Sequence, residues 1–239
     1  MPTQTSAASP SVSVIIPLGP AETGLGRLSG DLLLLPPSWE VVLVGCPENR
    51  SRFGPQQHDS KVLARPFVWH ETTAGRGRQM NAGAKLARGH YLWFLHVDSG
   101  FGPELVTALQ QALRLHSRAL LFCRLRFMND GPGAMRFNEW GVALRANLLG
   151  IPFGDQGFCL ERQRFWELGG YCEQALYGED HLLLWRARRS GLSPRLCPAP
   201  LLTSARKYRQ VGWGRLTWRY QWLWLRQALP QLWLLLLGR

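Results

Sequence analysis

The 239-residue sequence predicts an α/β fold: a mostly parallel sheet with helices on both faces, followed by a basic amphipathic C-terminal helix. Three observations carry this reading. Short apolar, β-branched runs alternate with stretches of helical character, the pattern of strand–helix–strand crossovers. Apolar residues make up 46% of the chain and charged residues 18%, which suits one large core and excludes a disordered chain. The charge is also lopsided. Lys plus Arg number 28 against 16 Asp plus Glu, net +12, yet eleven basic residues and no acid follow Asp180. The chain is therefore near-neutral up to Asp180 and basic beyond it; a globular body (11–210) precedes a basic, Trp-rich segment (211–239), and the Ser/Thr/Ala-rich residues 1–10 read as a flexible tail.

The elements follow in order. Ser11–Pro17 (S-V-S-V-I-I-P) is a β-branched run ended by proline, a buried strand. Residues 21–35 hold a short helix, stopped before Pro36 and Pro37. Glu40–Val44 is a second strand, residues 46–60 a polar loop, and Lys61–Ala64 a third strand. Gln79–Arg88, Ala-rich between glycines, is a helix. Tyr91–His96 (Y-L-W-F-L-H) is a central strand, apolar on both faces. Pro103 opens a helix to about His116. Ala119–Phe127 and Phe158–Leu160 are strands; Arg162–Leu168 and Asp180–Arg189 are helices stopped by glycine. In such sheets ligands sit beyond the carboxyl ends of the strands, which directs attention to the residues after Ile16, Val44 and Leu95.

Four short stretches there carry chemistry. In H-V-D-S-G, Asp98 stands at the mouth of a buried strand, where a carboxylate needs a partner or a task. It either holds a divalent cation, Mg²⁺ being served by one or two carboxylates plus phosphate oxygens, or only makes the turn or caps the helix near Pro103. In G-R-G-R-Q-M-N-A-G-A (75–84), Arg76 and Arg78 stand at a helix start where anions are favoured; a solvated basic turn is the plainer reading. In Y-G-E-D-H (177–181), Glu179 and Asp180 open a helix whose dipole keeps Asp180 ionised, as a general base requires; ordinary helix-end charge bias explains them equally. G-D-Q-G (154–157) is either a hydroxyl-binding turn or only a tight turn.

Taken in order, these pieces resemble the family 2 glycosyltransferases of the GT-A fold, and most closely the bacterial arsenosugar-biosynthesis-type group. The likeness is carried by S-V-I-I-P (13–17), the 75–84 motif, F-L-H-V-D (94–98), F-G-D-Q-G (153–157), G-E-D (178–180) and T-S-A-R (203–206). It implies an inverting transfer of a sugar from a nucleotide-sugar donor to an acceptor hydroxyl, assisted by Mg²⁺ or Mn²⁺. It implies Asp180 as the general base and Asp98 as the metal ligand, with His96 where the D-x-D motif has its first Asp. The implied substrate-binding set is Pro17, Arg76, Arg78, Asn81, Asp155, Gln156, Gly157 and Glu179. Two positions depart from the pattern: Gly45 and Cys46 follow the second strand where an Asp is usual, and Leu18–Glu22 replaces T-L-N-E. These departures motivate the alternative of a non-catalytic GT-A-like protein that binds a membrane or a partner.

The basic end reads as a helix with Arg215, Arg219 and Arg226 on one face and Leu216, Tyr220 and Trp224 turned away. Either it rests on an anionic membrane surface or it packs on its own domain or a second subunit. Nucleic acid is not expected, since no nucleic-acid motif accompanies the charge. Five cysteines without a C-x-x-C pair fit a reducing compartment. Met1–Pro10 lacks a leader's basic and apolar regions, and Arg219, Arg226 and Pro230 argue against a membrane span. The expected location is cytoplasmic, either free or peripheral on the inner face of the membrane. His181, next to Asp180, is a further candidate metal ligand.

Overall fold

The computed structural model describes residues 11–54, 66–175 and 177–237. The strands are β1 (Val12–Pro17), β2 (Glu40–Gly45), β3 (Val68–Glu71), β4 (Tyr91–Phe94), β5 (Ser99–Gly100), β6 (Leu120–Phe127), β7 (Cys159–Glu161) and β8 (Pro194–Thr203). The helices are α1 (Leu28–Asp31), α2 (Arg50–Phe53), α3 (Arg76–Leu86), α4 (Pro103–Leu115), α5 (Met135–Leu148), α6 (Arg162–Glu167), α7 (Glu179–Arg189), α8 (Arg206–Val211) and α9 (Trp213–Leu236).

One eight-stranded sheet runs in the order β3-β2-β1-β4-β7-β6-β8-β5. β3, β2, β1 and β4 are mutually parallel, as are β6 and β8; β7 runs against both its neighbours. That reversal positions the site. The turn that precedes an antiparallel strand lies at the same sheet edge as the residues that follow its parallel neighbours. Because Leu92 pairs with Leu160, the 3₁₀ turn Gly154–Gln156 before β7 meets the segment after β4.

The sheet is buried on both faces, as crossover helices require. Val14, Ile16, Leu43 and Trp93 face one layer with Leu28 of α1 and Leu105 and Leu109 of α4. Ile15, Val42, Val44 and Phe94 face the other with Met80 and Ala84 of α3 and Leu183 and Leu184 of α7. Each such side chain, fully buried, contributes roughly 1.5–3 kcal/mol. The small residues of α3 serve close approach. A Cβ at Gly83 would lie 2.6 Å from Ile15 Cγ2 and 3.0 Å from Val44 Cγ2, so the helix lies directly on the sheet.

Several boundaries differ from expectation. The strand expected at 61–64 lies outside the described residues; the strand beside β2 is Val68–Glu71. Within the expected loop 46–60, a 3₁₀ turn (Pro47–Asn49) and α2 form instead, because Asn49 Oδ1 accepts the Cys46 N–H (3.0 Å) and its amide donates to Gly19 O (3.0 Å). The helix expected from Gln79 starts at Arg76. α5 and β8 were not expected at all. Glu139 of α5 accepts the Phe127 N–H (2.8 Å) and so ties that helix to the end of β6.

Candidate functional site

At the carboxyl edge of β4 the chain turns on a backbone bond from Ser99 N–H to His96 O (3.1 Å). This turn and the start of α7 open onto one cleft of about 490 Å³. Arg76, His96, Asp98, Asp155, Asp180 and Lys207 supply its polar floor; α5 and α9 supply walls that include Phe137, Val142 and Trp224. Asp98 and Asp180, far apart in sequence, thus face the same space. Asp98 is half-buried, and no side chain caps α4, so the capping reading of Asp98 does not hold.

Arg76 organises the floor. Its Nε donates to Glu179, its Nη2 lies 3.6 Å from Asp180 Oδ1, and its Nη1 meets His96 Nε2 at 3.2 Å. Glu179 is buried beneath it rather than in the cleft lining. Burial pushes the Asp180 carboxyl up, but the Arg76 charge and the backbone N–H groups of Gly154 and His181 outweigh it and hold the group below its ordinary value. Asp180 Oδ2 accepts that Gly154 N–H, which leaves Oδ1 toward Arg76. The His96 imidazole is pushed down to about 4 by burial and by the Arg76 charge, so it is neutral at physiological pH and accepts from Arg76.

Asp155 has the opposite balance. Burial first, with Asp180 adding, raises its carboxyl to about 6 against the pull of Arg145. Its Oδ1 is buried without a partner among the described residues, as is Arg145 Nη2. Arg145 was missed in the sequence; it sits in the last turn of α5, donates from Nε to Ile151 O (3.0 Å) and lies 3.6 Å over the Phe153 ring. The raised Asp155 value means that folding favours its protonated form. Stability is therefore full below the unfolded value of 3.8 and falls as pH rises through about 6. Asp155→Asn should be more stable than the parent by on the order of 2 kcal/mol at about pH 8, and by little at about pH 4, in calorimetric melts.

The other expected residues lie outside this cleft. Arg78 pairs with Thr73 Oγ1 (2.6 Å) and Glu173 (3.5 Å). Asn81 donates to Tyr171 O (2.9 Å) and Glu173 (3.0 Å) and accepts the Tyr171 N–H (2.8 Å), which clamps a turn rather than a ligand. Gln156 donates to Cys123 O (3.1 Å) and accepts the Phe153 N–H (3.1 Å). Gly157, at φ +64°, leaves no room for a Cβ beside Leu201 (2.7 Å). Pro17 ends β1 opposite Val44; just beyond it, Gln79 donates to Leu18 O (2.7 Å) and Val44 O (3.0 Å) and ties the two strand ends together. At Gly45 a Cβ would lie 2.2 Å from the Trp69 ring, so an indole fills the place a side chain would take. His181 is not poised to bind metal. Its Nε2 accepts from Trp185 Nε1 (2.9 Å), so its Nδ1 carries the proton toward Gln227 Oε1 (2.9 Å).

Set beside known proteins, the sequence matches no family profile and no curated protein. The fold does have counterparts. The chain aligns with the crystal structure of S. aureus TarS at a TM-score of 0.61 and 18% identity, over 81% of this chain and 36% of that one. It aligns with TarS 1-349 in complex with UDP-GlcNAc at 0.61 and 18%, over 81% and 58%. With TarS 1-349 in complex with UDP the values are 0.62 and 18%, over 81% and 60%. The chain thus spans between about a third and three fifths of those structures, and at this identity the likeness is one of fold. The fold class expected from sequence, a GT-A-like α/β sheet flanked by helices, is the one observed.

Proposed function

We infer that the chain is an inverting glycosyltransferase that moves a sugar from a nucleotide-sugar donor to an acceptor hydroxyl. The observation that carries this reading is the meeting of Asp98 and Asp180 in one cleft at the carboxyl edge of the sheet, with Arg76 and Lys207 beside them. The TarS structures that share the fold hold UDP-GlcNAc and UDP, which supports a nucleotide-sugar donor. The finer likeness, to the arsenosugar-biosynthesis-type group, rests on the sequence motifs alone.

In this mechanism Asp180 takes the acceptor's proton at Oδ1 while the acceptor oxygen bonds to the anomeric carbon. The bond to the nucleoside diphosphate breaks on the opposite face, and the leaving group keeps the electron pair. Arg76 holds Asp180 ionised before the step. Lys207, in the same cleft, brings positive charge for the departing diphosphate. Asp155 and Arg145, each with an unpaired buried atom, orient the acceptor.

For Mg²⁺ or Mn²⁺ the fit rests on Asp98. No cluster of three His, Cys, Asp or Glu suited to a metal occurs among the described residues, and His96 Nε2 already accepts from Arg76. One carboxylate completed by diphosphate oxygens and water is nevertheless a grip that Mg²⁺ uses. Bound there, the ion would neutralise developing diphosphate charge.

A non-catalytic binder is the second reading, favoured by the indole over Gly45 and by the closure of the β1 and β2 ends by Gln79. Calorimetry with UDP and GDP in the presence of Mn²⁺ separates the two. Binding of either nucleotide, with donor turnover in a hydrolysis assay, is the expected result; silence with both would leave only the binder.

A further inference from the structure

The cleft occupies the inner face of α9 and leaves its outer face bare. Trp218, Trp222, Leu225, Leu229 and Leu232 recur at spacings of four and three, so they form one stripe along the helix. All five are exposed, Trp218 by 75% and Leu229 by 62%. Neighbouring α5 also turns apolar residues outward: Trp140, Leu144 and Leu148. Asn138 joins the two helices, donating to Thr217 (3.2 Å) and accepting from the Trp213 indole (2.7 Å). Apolar exposure on this scale marks an interaction surface.

Charge identifies the occupant. Arg215, Arg219 and Arg226 run along one border of the stripe, all exposed, with Arg226 5.3 Å from the Trp222 ring centre. α9 carries no acid. A second copy packed symmetrically on this face would set arginine against arginine with no carboxylate between them. Anionic lipid headgroups answer the arginines, and the acyl boundary below them takes the apolar stripe; Trp is suited to that boundary. No described helix is long and apolar enough to cross a membrane, so the contact is interfacial.

We propose that α9 lies in the headgroup layer of an anionic bilayer, its Trp218–Leu232 stripe inserted and its arginines on the phosphates. The contact does not depend on the sugar-transfer reading and is measured without donor.

The test is co-sedimentation of the full chain with vesicles of phosphatidylcholine alone or mixed with phosphatidylglycerol. Binding only to the mixed vesicles, weakened by salt and accompanied by a blue shift of Trp fluorescence, is expected. Replacing Arg215, Arg219 and Arg226 together by Gln should weaken it on the order of 100-fold. The double variant Trp218→Glu, Leu229→Glu should abolish it. These residues are exposed and outside the cleft, so an unchanged melting temperature shows that the variant is folded. Equal binding to both vesicle types, or to neither, overturns the proposal. So does a dimer in light scattering that the double variant dissolves, since a second copy would then cover the stripe.

Discussion

Asp180→Asn is expected to lower kcat on the order of 1,000-fold, within the range general-base removal usually costs. The substitution keeps shape and keeps an oxygen for the Gly154 N–H, so the turn before β7 should hold its place. Glu179 still pairs with Arg76, so the guanidinium remains anchored. What is lost is the anion at Oδ1. Donor KM should therefore change little while kcat and kcat/KM fall together, the mark of an interaction made in the transition state. Steady-state transfer at saturating donor checks this. Because Asp180 is held below its ordinary value, its own protonation should not shape the rate near neutrality. An acidic limb near pH 6 belongs to Asp155 and should vanish in Asp155→Asn. Unchanged transfer in Asp180→Asn would remove the proposed mechanism.

Asp98→Ala should act on donor binding. In calorimetry with UDP and Mn²⁺, affinity should drop on the order of 10- to 100-fold and lose its dependence on the metal. The fold should tolerate the change: Asp98 is half-buried, caps no helix, and its turn is closed by backbone. A melting temperature unchanged alongside a lost metal effect would separate a binding role from a structural one. An equal metal effect in parent and variant would place the ion elsewhere or exclude it.

The sheet was legible because its central strands are apolar on both faces and bounded by proline or glycine, as in V-S-V-I-I-P and Y-L-W-F. The two long elements that escaped notice break the rules of pattern. α5 splits its apolar residues, with Met135 and Ala146 inward, Phe137 on the cleft, and Trp140, Leu144 and Leu148 outward, so no single face announces a helix. β8 contains Pro194, Pro198 and Pro200, which argue against a strand. It pairs with β6 through a register shift at Cys123/Arg124, and β5 reaches only its last two residues, so most prolines meet no demand for an N–H on that side. Chain position pointed to Asp98, Asp155, Arg76 and Asp180, which line one cleft. It did not distinguish Asn81 and Gln156, because an amide that clamps a turn and one that holds a ligand leave the same trace in a Gly- and Ala-rich motif.

Gln227 links α9 to the start of α7. Its amide reaches the carbonyls of Tyr177 (3.4 Å) and Gly178 (3.2 Å), and its oxygen reaches the His181 ring. Gly178, at φ +67°, would bring any Cβ within 2.2 Å of it. The C-terminal helix therefore braces the turn from which Asp180, the proposed base, projects. Truncation of that helix is therefore expected to loosen Asp180 as well as to remove the proposed lipid contact, and only changes on the outward surface tell anchorage from chemistry.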